Sequence, residues 1–286
     1  MAITANTNIS SIAASRALYE TRQDLSRAME RLSSGKRLNG AVDDAAGQTV
    51  VTRMKAQITS LNQAIRNTND GISLVSTYDG AADEVEDILI RMRELATLAQ
   101  NETYTAEDQA NAFLEFEALS KEIDRIQSKT KFNGTLDVSS ATGSETYSFQ
   151  VGFNGGDAIA VELKSLSASA LMGGDFTSST TKFGGQGSIA SNITMASNAV
   201  TALDKGLSNL NVARATAGAA INRLEHTVSN LMNVVQRTEE ARSRVEDADF
   251  ATESAALARA NVLTQAGSAM LAQANQSPQY ILALLR

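Results

Sequence analysis

His226 is the only histidine among 286 residues, so any imidazole chemistry must pass through it. It lies between Leu224 and Val228, off the apolar stripe of its segment, where a solvent-exposed position is expected and no second catalytic group is in view. The chain has no cysteine, which removes disulfides, thiolate nucleophiles and Cys-ligated metals. A single histidine also excludes the two-His zinc motif H-E-x-x-H. The Gly35-Lys36 pair is half of a phosphate loop, but the glycine required five residues before Gly35 is Glu30. A helix end capped by Gly35 or Gly40 accounts for it better. Asn67-Thr68-Asn69-Asp70-Gly71 carries calcium-type ligands, yet it sits inside a strict heptad and lacks the closing glutamate at the right distance. No catalytic, cofactor-binding or metal residue is assigned, no cofactor is expected, and the chain does not read as an enzyme.

Charge points elsewhere. The formal net charge is −7, with 25 basic and 32 acidic side chains. Phosphate backbones demand clustered Lys and Arg, so nucleic acid is not an expected partner. Between Asp79 and Arg125 there are thirteen acidic and four basic residues, read as a solvated face. Arg214 and Arg242 occupy positions in an otherwise apolar stripe. Each either snorkels at the edge of a bundle or pairs with an acidic residue of a neighbouring chain.

The elements that carry these residues are mainly helices. There is one proline, Pro278, no tryptophan, and 5% aromatic residues. Such a chain lacks both helix breakers and the large rings that fill globular cores. Leu18, Leu25 and Leu32 repeat every seven residues in a first helix. In a second, Val51, Met54, Ile58, Leu61, Ile65, Thr68, Ile72 and Val75 alternate steps of three and four, a coiled-coil seam. The phase slips near Tyr78 to Ala82 and resumes at Val85, Ile88, Met92, Leu95 and Ala99, as a stammer in one long helix would produce. Asn101 to Thr105 reads as a loop, and Phe116, Leu119, Ile123 and Ile126 mark a third helix. Tyr147, Phe149, Val151 and Phe153 alternate, as do Ile159, Val161 and Leu163. The turn Asn154-Gly155-Gly156-Asp157 between them makes a β-hairpin. Residues 167–190 are Ser/Thr/Gly-rich and read as an exposed loop. From Leu203 to Val245 a fourth helix keeps the heptad step throughout.

The last 37 residues contain ten alanines and three charged side chains, and they end in an apolar run. No apolar stretch approaches the roughly 20 residues of a membrane span, and residues 1–15 lack the pattern of a secretory signal. Both terminal helices want a core that two long seams cannot supply, because each helix buries only one face. Ordering them costs about 1–2 kcal/mol per residue in backbone entropy. Packing of many copies into an open helical lattice would recover that cost, so the residues point to a structural polymer whose tails order on assembly.

The motifs are similar to those of bacterial flagellins along nearly the whole chain. They run from Arg31-Leu32-Ser33-Ser34-Gly35-Lys36-Arg37-Leu38-Asn39 and Asp43-Asp44-Ala45-Ala46-Gly47 through Asn69-Asp70-Gly71-Ile72-Ser73 and Arg93-Glu94-Leu95-Ala96. Glu122-Ile123-Asp124-Arg125-Ile126 and Phe132-Asn133-Gly134 continue the match. It resumes at Asn222-Arg223-Leu224, Ala241-Arg242-Ser243-Arg244-Val245 and Asp249-Phe250-Ala251-Thr252-Glu253, and closes at Gln273-Ala274-Asn275 and Leu284-Leu285-Arg286. The resemblance implies a mainly α fold, a long antiparallel bundle with a small β-hairpin and paired helical termini. Residues 1–43 with 251–286 would form inner-tube helices, and 44–166 with 191–250 the bundle. Residues 167–190 would stand in place of outer domains, giving a slim filament. Val75 to Ala81 departs from the family pattern.

The implied role is a self-assembling subunit of the extracellular flagellar filament, serving swimming motility. The alternative is a flagellin-like junction protein between hook and filament. Implied partners are other copies, an export chaperone and the type III export apparatus, hook-associated and cap proteins, and a host Toll-like receptor. Inner-tube packing falls to Leu18, Leu25, Leu32, Leu257, Leu263, Met270, Leu271, Leu282 and Leu285. Ala255, Ala256, Ala266, Gly267 and Ala269 are small enough for close helix approach. Arg91, Arg93, Glu94, Leu95 and Glu115 match the receptor-recognised positions. The hairpin turn at Asn154 and Gly155 would tune subunit spacing.

Overall fold

A computed structural model describes residues 7–134, 136–137, 143–173, 183 and 189–284, with the side chains at 136–137 and 277–284 left aside. The element order is α1 (Ile9–Ser34), α2 (Ala45–Ala99), α3 (Ala106–Lys129), β1 (Lys131–Phe132), β2 (Leu136–Asp137), β3 (Ser144–Gln150), β4 (Ala158–Lys164), α4 (Ala168–Met172), α5 (Ile189–Glu246) and α6 (Phe250–Leu284). The protein is mainly α. It divides into two compact units, one of Met1–Ile58 with Gln236–Arg286 and one of Thr59–Val235. These contact boundaries lie inward of positions 43 and 251, where the sequence suggested a division.

In the Thr59–Val235 unit, the heptad seam of α2 faces α5. Leu61 and Ala64 bury against Leu231, with Ile65 and Val235 alongside. Further along, Val75, Tyr78, Ala82, Val85, Leu89, Met92 and Ala96 are all buried. The steps Ile72–Val75–Tyr78 are two consecutive threes, the stammer anticipated from the sequence. Tyr78 fills it, and its hydroxyl donates to the Lys164 carbonyl at 2.9 Å. Burial, and then the negative charge of Asp79, push the phenol well above its ordinary range. The heptad continues into α5 through Leu203, Leu210, Ala217 and Leu224, which are fully buried.

α3 starts at a capping box in which Thr105 and Asp108 exchange side-chain and backbone bonds. One turn on, the buried Gln109 donates to the Ala99 carbonyl at 3.0 Å and accepts from the buried Asn192 of α5 at 3.0 Å. Strands β3 and β4 pair antiparallel with Phe149 opposite Ile159 and Tyr147 opposite Val161. Ile159, Val161 and Leu163 face the core. Gly71, part of the calcium-like sequence, lies mid-helix under the Phe149 ring. A Cβ there would sit 3.1 Å from ring carbons, so the glycine serves close packing.

Three expectations are corrected. Among the described residues of 167–190, the chain is folded rather than an exposed loop. Ser167 caps α4, and Ala168, Leu171, Met172 and Phe183 are buried. Phe183 packs edge-on against Phe113 and Phe116 at 5.3 and 5.1 Å. Four apolar side chains scattered among Ser and Gly have no period to read. Next, α5 begins at Ile189, well before Leu203. Its first turns pack through Asn192, Ala196, Ala199 and Ala202, too small or too polar to register as a seam. Finally, Arg214 neither snorkels free nor awaits another chain. It pairs within the chain with Asp79 at 3.1 Å, Asp83 at 3.0 Å and Glu86. Arg242 likewise pairs with Glu239 and Glu246 of its own helix. Part of the acidic run of α2 thus pairs with Arg214 while staying partly solvated.

Candidate assembly surface

α1 begins where Asn8 accepts the Ser11 amide at 3.1 Å and ends at Gly35, whose φ of +69° gives the left-handed cap. Gly35, not Gly40, is therefore the stop, and Lys36 follows it outside any phosphate loop. α1 lies antiparallel on α6. Asn8 donates to the Ala274 carbonyl at 2.7 Å, and Ser11 to the Asn275 side chain at 2.7 Å. Leu18 is buried over Gly267, where an added Cβ would come within 3.3 Å of it. Nearer the other end, Ala28 and Ala260 are buried, and Arg31 binds Glu253 at 3.0 Å.

The far end of this pair is a clasp. The Arg37 amide donates to the Glu246 carbonyl at 2.7 Å, and Ala248 donates back to Gly35 at 3.1 Å. The Glu246 carboxylate, 5% exposed, receives Lys36 and Lys55, each at 2.9 Å. Burial pushes this carboxyl up, but the hydrogen bonds from Lys55 and Lys36 outweigh it and hold the group below the ordinary glutamate value. Unfolded glutamate titrates near about 4.3. The clasp's contribution is complete above that value and lost as pH falls through the lowered folded one. Glu246→Gln should cost about 1 kcal/mol at neutral pH, a discounted figure because both lysines are nearly half exposed. The gap between the two proteins should close on acidification through that window, read by thermal unfolding against pH. Parallel curves would show that the clasp carries no linked proton. Sequence reasoning missed Glu246, since one carboxylate at a helix break has no periodic signal.

The proposed packing residues separate into two sets. Leu18 belongs to the contact between α1 and α6. Leu25, Leu32, Leu257 and Leu271 are half-buried, whereas Leu263 and Met270 remain 51% and 65% exposed. Leu282 lies within α6, but its side chain is not among those described, and Leu285 is outside the described residues. Of the small residues, Gly267 lies under Leu18 of α1, and Ala256 lines the groove beside Arg27 and Ala28. Ala255, Ala256, Ala266 and Ala269 are exposed, and the buried small residues of the pair, Ala28 and Ala260, were not anticipated. Ile9, Ile12, Tyr19 and Met29 on α1, with Phe250 and Val262 on α6, are also exposed. A helix pair this apolar on its outer faces carries the mark of an interaction surface.

The second anticipated patch is mostly assembled. Arg91 reaches Glu94 at 3.0 Å and Glu115 at 2.9 Å, bringing α2 and α3 together, while Arg93 reaches Asp204 at 2.7 Å. Leu95 does not join them. It is buried in the core, and the exposed apolar neighbours are Ile90, Leu98 and Leu114, none anticipated. Asn154 and Gly155 form an exposed turn with Phe153 beside them. His226 is exposed. Among the described residues no group of three His, Cys, Asp or Glu could hold a metal, and no helix is long and apolar enough to cross a membrane.

Comparison with known proteins agrees with this architecture. Residues 5–136 match the family model of the bacterial flagellin N-terminal helical region, and residues 188–285 that of the C-terminal helical region. The chain is 44% identical to a flagellin of Halalkalibacterium halodurans over 264 residues, 91% of each chain. It is 36% identical to a flagellin of Listeria innocua over 284 residues, covering 98% of each. It is also 36% identical to the flagellar filament 33 kDa core protein of Treponema phagedenis, over 98% of this chain and 99% of that one. A chain whose paired terminal helices show such an apolar outer surface, and which matches both helical regions, belongs to the bacterial flagellin family and is a structural, self-assembling subunit of the extracellular flagellar filament.

Proposed function

We propose that the α1–α6 pair is the assembly device, forming the inner tube of the filament and gaining its full order only as copies pack. The observation that carries this is the set of apolar side chains left outside that pair, Leu263 and Met270 among them. Export in unfolded form through the type III apparatus fits the same reading. A chaperone would cover the apolar α6 before export, and hook-associated and cap proteins would bound the growing polymer. Seeded polymerisation tests it. The full chain should elongate seeds, and a version trimmed to about residues 44–250 should stay monomeric in sedimentation and negative-stain microscopy. Soluble small oligomers from both would favour the hook–filament junction role instead.

The Arg91, Arg93, Glu94 and Glu115 cluster supports a second partnership, with a host Toll-like receptor that meets the monomer. Its side chains are solvent-exposed and held in one arrangement by ion pairs across α2 and α3. Arg91→Ala should lower the response of receptor reporter cells to monomer while leaving polymerisation intact. An unchanged response would remove Arg91 from that role.

A further inference from the structure

Three Asn-Gly pairs occur in the chain, at 39–40, 133–134 and 154–155. An asparagine before glycine can lose ammonia without an enzyme, because the glycine amide nitrogen reaches the side-chain carbonyl with no Cβ in the way. The fold treats the three differently. Asn39 is half-buried, its Nδ2 is enclosed, and the Gly40 amide already donates to Asp43 Oδ2 at 3.2 Å. Asn133 is held by the β1–β2 turn at φ +54°, in the left-handed region, which it must leave before the ring can close. Asn154 has neither restraint. It is exposed at the hairpin tip, its φ is not among the positive values, and the Gly155 amide donates to nothing among the described residues.

We propose that Asn154 is a site of spontaneous covalent modification, converting to aspartate and isoaspartate as the protein ages. The Gly155 nitrogen attacks Asn154 Cγ. The N–Cγ bond forms, the Cγ–Nδ2 bond breaks, and ammonia leaves carrying the amide proton. Water then opens the five-membered imide. Attack at Cγ gives aspartate, and attack at the former main-chain carbonyl gives isoaspartate, whose backbone runs through Cβ and Cγ. No electrons change hands and water is the only co-reactant.

The product alters this hairpin specifically. The Asn154 carbonyl now accepts from Gln150 Nε2 at 2.6 Å and from the Asp157 amide at 3.3 Å. In isoaspartate that carbonyl becomes a free carboxylate, so both bonds lose their main-chain acceptor. The new charge also lies beside Asp157, whose carboxylate accepts the Asn154 amide at 3.4 Å. The turn lines a groove with Ser60, Gln63 and Asn67 of α2. Modification therefore adds negative charge to, and loosens, the edge of that groove.

The test is incubation of the purified full chain in mildly alkaline buffer, with peptide mapping by mass spectrometry that separates aspartate from isoaspartate. The folded chain should convert Asn154 severalfold faster than Asn133 or Asn39, while in urea the three should converge. Gly155→Ala, which meets open space and requires no positive φ, should fold normally and slow Asn154 severalfold. Equal rates at the three sites in the folded chain, a lead for Asn39 or Asn133, or an unchanged rate in Gly155→Ala would each overturn the proposal.

Discussion

Leu263→Asp should leave the isolated chain folded and abolish filament growth. Leu263 lies on α6 and is half exposed when α1 alone covers that helix. A substitution at a half-exposed position usually changes stability by about 0.5–1 kcal/mol, too little to unfold the chain. On the proposed assembly surface this position would be covered by neighbouring copies, where an unpaired carboxylate costs several kcal/mol. Every subunit carries that cost, and elongation depends on each addition, so the effect on growth is near complete. Leu18→Asp is the informative contrast. Leu18 is buried against Gly267 within the chain, so its replacement should loosen the α1–α6 pair before any assembly begins. Hydrogen exchange of α1 in the monomer, beside seeded growth, separates the two. Normal filaments from Leu263→Asp would place the assembly surface elsewhere.

Tyr78→Ala should destabilise the Thr59–Val235 unit by about 3–5 kcal/mol, the range for truncating a large buried ring. The side chain is fully buried at the stammer, between the two phases of the α2 seam. On its C-terminal side the neighbours Ala81 and Ala82 are too small to fill the space a lost ring would leave. Tyr78→Phe divides the effect. It keeps the ring and removes the hydroxyl, leaving the Lys164 carbonyl without that donor, at about 1–2 kcal/mol. Chemical denaturation of all three proteins gives both numbers. A Phe variant as damaged as the Ala variant would mean that the hydrogen bond, rather than packing, holds the hairpin strand to α2.

These cases show where periodicity speaks and where it is silent. The seams through Val51–Val75 and Leu203–Val245 were legible because a helix repeats every 3.6 residues and a buried face must repeat with it. The stammer and the β3–β4 hairpin were legible for the same reason, one as a change of phase and the other as alternation about Asn154-Gly155. The terminal helices were legible as elements, whereas their packing residues rest on residue type alone, in a tail with ten alanines and three charges.

What tertiary structure alone decided is which face of each terminal helix is spent inside the chain. Leu18 is consumed by Gly267 while Leu263 and Met270 are left over, although all three read alike in the sequence. Likewise, only the fold seats Arg214 among Asp79, Asp83 and Glu86, brings Lys36 and Lys55 to Glu246, and buries Phe183 on Phe113 and Phe116. Each joins residues far apart in the chain through two or three contacts. A local repeat records the burial of a face many times over, whereas a single long-range contact leaves only one residue of each partner and no pattern. The sequence by itself therefore determined the long helices, the β3–β4 hairpin and the family, and folding determined the pairings that leave apolar side chains exposed on the terminal helices.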